Sequence, residues 1–314
     1  MSISVLASPA YSLVTQCRLV ANALSGKCVE GFYNPSTLSR NVIIISNPDH
    51  YFRLLITTTP SNRNIIAYLV AEGKINFIPY ILRPPDHVVV PSQYVARKLR
   101  EYGAYDWLKR EVKVIPHGIK IREISKLPSF EERRLFFYMG GFLWRKYPRY
   151  GEPIYSEFGK LIDVVTTGNN PFLRYFNVIS SDEYRSVSED YVVNQYLSHR
   201  FYINLSDSEG FGLTPYEACA YGCVPILPKL PAFLEYFPSD LPIWVELTGE
   251  VSYEYFGWES IEHFHWSVES MREAIKYAMG MRKEEWVDKS ARCMEFARKF
   301  DYRVVYEEFK KLIK

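Results

Sequence analysis

Two carboxylates eight positions apart, Glu209 and Glu217, flank the turn Gly210-Phe211-Gly212-Leu213. Glycine permits backbone angles and close approaches that a Cβ forbids, so a turn of this kind can present its own amides to a ligand. Where it opens onto a helix N-terminus, those amides and the helix dipole favour an anion such as phosphate. Carboxylates do not attract phosphate; beside one, their chemistry is to accept hydrogen bonds from hydroxyls. Phosphate and polyol in one pocket describe a sugar nucleotide.

The elements that must hold this turn are readable around it. Residues 201–205 are β-branched and aromatic apart from Asn204, as in a buried parallel strand. Ser206-Asp207-Ser208 stops that strand with side chains that bond their own backbone. Thr214-Pro215-Tyr216-Glu217 has the form of a capping box, with Thr214 as cap and Pro215 at the first helical position. Gly222 ends the helix, and residues 224–227 begin another strand. Glu217 therefore has two readings. It either bonds back to the Thr214 amide, for about 1 kcal/mol, or accepts from ligand hydroxyls, and one carboxylate can do both. Glu209 has no helix to cap and is either a ligand acid or a solvated turn residue.

The stretch SEGFGLTPYEACAYGCVPI resembles the signature of the retaining glycosyltransferases of the group 1, or family 4, type, in which a Glu-x7-Glu motif spans a Gly-Phe-Gly-Leu turn. The resemblance implies an α/β protein of the GT-B fold, two Rossmann-like domains whose parallel sheets face a central cleft. It implies that Glu209 meets the transferred sugar near its anomeric carbon and that Glu217 holds the ribose. The amides from Gly210 through Phe211 and Gly212 to Leu213 then face sugar or phosphate. The family places a Gly-Arg, and five residues on a Lys, after the first strand of the second domain. Here Lys146 falls at the Lys position and Gly141 at that of Arg, with Arg145 as the neighbouring cation. Together these stabilise a leaving diphosphate without metal or cofactor, so Glu209 and Lys146 are the expected catalytic pair. A family histidine of the first domain is replaced by Glu72, and the glycine pair of the first loop is absent. Tyr11, His50 and Glu72 are the sugar or acceptor contacts the first domain offers.

The expected reaction moves a sugar from a UDP- or GDP-hexose to a glycan, lipid-linked or protein acceptor. Two other readings are a degenerate GT-B binding module without turnover and a DNA-modifying glycosyltransferase. Lys plus Arg exceed Asp plus Glu by 38 to 36 over 314 residues, which argues against a nucleic-acid partner. Residues 97–149 are basic, with 14 Lys/Arg against 6 Asp/Glu, and offer a face for peripheral membrane contact. The five cysteines lack zinc-like spacing and read as buried free thiols of a cytoplasmic, reducing compartment.

Length favours two domains. Residues 3–7, 42–45, 65–70, 88–90 and 112–115 read as strands, with helices at 12–24 and 93–102. His117, in the hinge-like Pro-His-Gly-Ile, reads as structural. Strands recur at 135–139, 161–166, 176–179, 201–205 and 224–227, and helices at 267–279 and 283–300. The expected division is 1–122, joined by a C-terminal helix at 302–314, and 123–301.

Overall fold

The computed structural model describes residues 2–7, 11–30, 37–46, 63–70, 84–103, 110–140, 146–166, 170–180, 187–256 and 259–314. The chain divides into two compact units. Met1–Lys120, Tyr253–Ile261 and Phe300–Lys314 make one, and Ile121–Ser252 with Glu262–Lys299 the other.

The first unit holds β1 (Ile3–Ala7), α1 (Tyr11–Ala23), β2 (Lys27–Val29), β3 (Asn41–Ser46), β4 (Asn64–Leu69), β5 (His87–Val90), α2 (Gln93–Glu101) and β6 (Val112–Val114). Its strands form one parallel sheet in the order β2-β1-β3-β4-β5-β6. Strands hidden on both faces must be apolar throughout, and Val42 to Ile45 and Ile65 to Leu69 are buried without a break. Ser92 starts α2 by accepting the Val95 amide at 3.1 Å.

The second unit repeats the plan. It contains β7 (Arg134–Gly140), α3 (Glu152–Phe158), β8 (Ile162–Thr166), β9 (Asn177–Ser180), α4 (Glu189–Leu197), β10 (His199–Ile203), α5 (Leu213–Ala220), β11 (Val224–Pro228), α6 (Pro231–Tyr236) and β12 (Ile243–Val245). The parallel order is β12-β11-β10-β7-β8-β9. The chain winds outward from β7 to β9, then returns to β10 on the other side of β7. The switch of direction falls between β7 and β10, where open α/β sheets bind ligands beyond the strands' carboxyl ends. Two features exceed the sequence reading: β12 is a sixth strand, and β13 (Leu247–Phe256) pairs with β14 (Glu259–Trp266) in a separate two-stranded ribbon. Helices α7 (Val268–Met279) and α8 (Lys283–Arg298) follow.

In the C-terminal segment the expected single helix is instead a short one, α9 (Tyr302–Val305), tightening into a 3-10 stretch, Tyr306–Leu312. Tyr306, Phe309 and Leu312 enter the core of the first unit beside Val5, Ile43, Ile66 and Tyr68. Asn64 Nδ2 donates to the Leu312 carbonyl at 2.8 Å, and Asn41 Nδ2 to that of Lys314 at 3.0 Å.

The cysteine reading needs correction. Cys17 and Cys28 form a disulfide, while Cys219, Cys223 and Cys293 are free and buried. Cys17 lies on α1, which packs on β1, and Cys28 on β2, where it sits opposite Val5 of β1. That juxtaposition arises from the fold, and a spacing of 11 residues does not announce it. The inference of a reducing compartment from free thiols does not hold for this pair.

His117 is buried in the first unit, its Nδ1 2.8 Å from the Tyr68 hydroxyl, which donates to the Ile115 carbonyl. Burial lowers its pKa from the ordinary 6.5 to about 3. The unfolded chain takes up a proton below pH 6.5 and the folded one only near pH 3, so stability is lost as pH falls through that window. Denaturant unfolding at pH 7 and 4.5 is expected to show a loss of about 2–3 kcal/mol from this group. His117→Gln removes that part of the slope; an unchanged slope would contradict the assignment.

Candidate active site

Strand β10 ends at Ile203, and the chain from Asn204 to Phe211 is buried. A buried segment that has left its sheet must find partners for its backbone, and here they are specific. Asn204 Oδ1 accepts the Ser206 amide at 2.7 Å, and the Ser206 hydroxyl donates to the Ser208 carbonyl at 3.0 Å. The Leu205 carbonyl accepts the Trp266 indole N–H at 3.2 Å, and the Asp207 carbonyl accepts the Phe264 amide at 2.8 Å. Gly212 then turns the chain into α5 with φ +75°, and a Cβ there would stand 2.5 Å from the Phe233 ring. Phe211 stacks on Tyr216 with ring centres 4.6 Å apart. Its ring anchors the turn.

The capping box is not formed. Helix α5 begins at Leu213 with Gly212 as cap and no side-chain capping bond. Thr214 lies inside the first turn, its hydroxyl 2.6 Å from that of Tyr202. Glu217 Oε2 instead accepts from the Tyr196 hydroxyl on α4 at 3.1 Å. Desolvation raises the pKa of this carboxyl, the Tyr196 bond partly offsets it, and the charge of Glu189 raises it further.

Lys146 follows β7, and Tyr138 of that strand donates to its carbonyl at 2.7 Å. Its ammonium forms an ion pair with the Glu209 carboxylate, 63 residues away in sequence. Glu209 is 7% exposed. Thus the two expected catalytic residues meet at the switch point, and Glu217 sits on the helix into which the same turn leads. Arg145, His50, Glu72 and the side chain of Tyr11 lie outside the described residues, as does Gly141.

Three contributors were not evident from sequence. Tyr196 is one of 25 tyrosines, with nothing around it to mark it. Asp207 carries the ring of His263, Nδ1 to Oδ1 2.8 Å, and His263 belongs to a ribbon whose placement sequence does not give. Arg133, buried, donates to the carbonyls of His199 at 3.1 Å and Tyr221 at 3.0 Å, tying together the segments that end α4 and α5.

The two parallel-sheet units with this site are the GT-B architecture, and comparison with known proteins agrees. No family model matches the chain. Over 239 residues it is 27% identical to "Putative glycosyltransferase ORF313" of Acidianus filamentous virus 1, covering 72% of each chain. Among solved structures, sucrose-phosphate synthase of Thermosynechococcus elongatus superposes with a TM-score of 0.70 at 13% identity. Anabaena HepE, solved with UDP and glucose, gives 0.70 at 12%. Each of these two matches covers 99% of this chain and 98% of the other. The chain spans 55% of the longer TarM, at 11% identity and a TM-score of 0.62. The solved structures agree on the GT-B fold, and the viral relative is named a putative glycosyltransferase.

Gly212→Ala tests the turn. A left-handed angle on a residue with a Cβ and a collision with Phe233 are expected to cost roughly 2 kcal/mol or more. Thermal or denaturant unfolding reads the loss, and an unchanged midpoint would contradict this description of the turn.

Proposed function

We propose that the chain is a retaining, metal-independent glycosyltransferase that moves a hexose from a UDP- or GDP-hexose to an acceptor. The observation that carries this reading is the Lys146–Glu209 ion pair at the switch point of the second sheet. The UDP and glucose held by HepE, a protein of the same fold, support the donor class. On this reading the donor's diphosphate takes Lys146 as its partner, and Glu209 is released to the sugar hydroxyls. Glu217, steadied by Tyr196, accepts from the ribose. The bond from the anomeric carbon to the phosphate oxygen breaks while the acceptor oxygen attacks from the same face. The acceptor's proton passes to the departing phosphate. The protein orients the partners and stabilises the charge that develops.

A relative that binds nucleotide or glycan without turnover is the second reading, favoured by Gly141 at the family's arginine position. One assay separates the two. Incubated with a panel of nucleotide sugars in EDTA, the glycosyltransferase releases UDP or GDP; the binding module binds and releases none. Within the first reading, Glu209→Ala is expected to lower kcat at least tenfold with little change in nucleotide affinity, and Glu217→Ala to weaken affinity more than kcat. Negligible effects of both would remove the site.

A further inference from the structure

Glu209 sits in a turn that belongs to neither strand nor helix, so whatever fixes its direction must come from elsewhere. Beside the segment's own side chains and Lys146, strand β14 supplies such contacts. Its Phe264 amide and Trp266 indole satisfy the carbonyls of Asp207 and Leu205, which lie beyond the end of β10. Between them the His263 ring pairs with the Asp207 carboxylate at 2.8 Å, the two side chains 12% and 4% exposed. The same strand also reaches the segment that carries Lys146. The Tyr150 hydroxyl, four residues past that lysine, accepts the Trp266 amide at 3.2 Å, and its ring stacks on His265 with centres 4.6 Å apart. Strand β14 therefore touches both segments that bring the ion pair together.

Charge sharpens the point. Asp207 and Glu209 are two residues apart, and both are buried. The Asp207 carboxylate is also hydrogen-bonded to the Tyr150 side chain. A buried carboxylate that loses one of its partners is disfavoured, so removing the His263 ring would shift the turn that carries Glu209. We propose that His263, acting through Asp207, is a positioning residue for Glu209, and that β14 is a splint across the donor turn. This rests on the glycosyltransferase reading.

The test measures kcat and KM for nucleotide release by the full chain. His263→Ala is expected to lower kcat about tenfold while KM for the nucleotide sugar moves less than about threefold, because Glu217 and its helix are untouched. His263→Asn, whose amide can donate from nearly the place of Nδ1, is expected to recover most of the loss. In a Glu209→Gln background His263→Ala is expected to change kcat less than about twofold, since residues acting as a unit are not additive. Should His263→Ala fail to fold, Asp207→Asn, which keeps the backbone contacts, enters the same cycle with the same expectation. Equal losses in both backgrounds, or no recovery with asparagine, would overturn the splint alone. No nucleotide release by the unaltered protein from any donor would overturn the glycosyltransferase reading, and the splint with it.

Discussion

The ion pair between Lys146 and Glu209 is the constraint on which the site depends. Burying either charge alone would cost several kcal/mol, and only a well-placed partner offsets that. The two residues come from the segments after β7 and β10, neighbouring strands that are far apart in sequence. Parallel pairing of those strands at the point where the sheet reverses its winding gives the charges a common place. A partly buried cation held this way is already oriented, and on the proposed function a diphosphate replaces the carboxylate with little reorganisation.

The rest of the second unit keeps that place rigid. The amides and carbonyls of residues 204–208 are laced by their own side chains and by β14, and the Phe211 ring is driven into the aromatic core against Tyr216. Arg133 gathers carbonyls near the ends of α4 and α5, and its guanidinium lies 5.1 Å from the centre of the Trp286 ring. Helices α4 and α5 carry Tyr196 and Glu217, so their common anchor fixes how the second carboxylate is offered. The side chains that the proposed function sets on the donor are thus mounted on elements held by several independent contacts.

Much of this was readable from the chain. The central strands of both sheets announce themselves because burial on two faces demands unbroken apolar runs, and the Glu-x7-Glu stretch is dense enough to point to the turn. What escaped has physical reasons. The capping box failed because Gly212 supplies a left-handed angle one residue before Leu213, so the helix starts earlier and Thr214 turns to Tyr202. The Cys17–Cys28 disulfide depends on β2, a three-residue strand with little pattern of its own. The partners of the turn, His263 and Trp266, come from an element whose docking is a tertiary fact, and the mixed run ESIEHFHW marks no clear strand in sequence.

The most direct test of the account is a crystal structure with a nucleoside diphosphate sugar bound. The expected result is the ammonium of Lys146 on the diphosphate, Glu209 turned to the sugar hydroxyls and Glu217 on the ribose, all at the carboxyl ends of β7 and β10. A diphosphate seated elsewhere, with Lys146 and Glu209 still paired to each other, would contradict it.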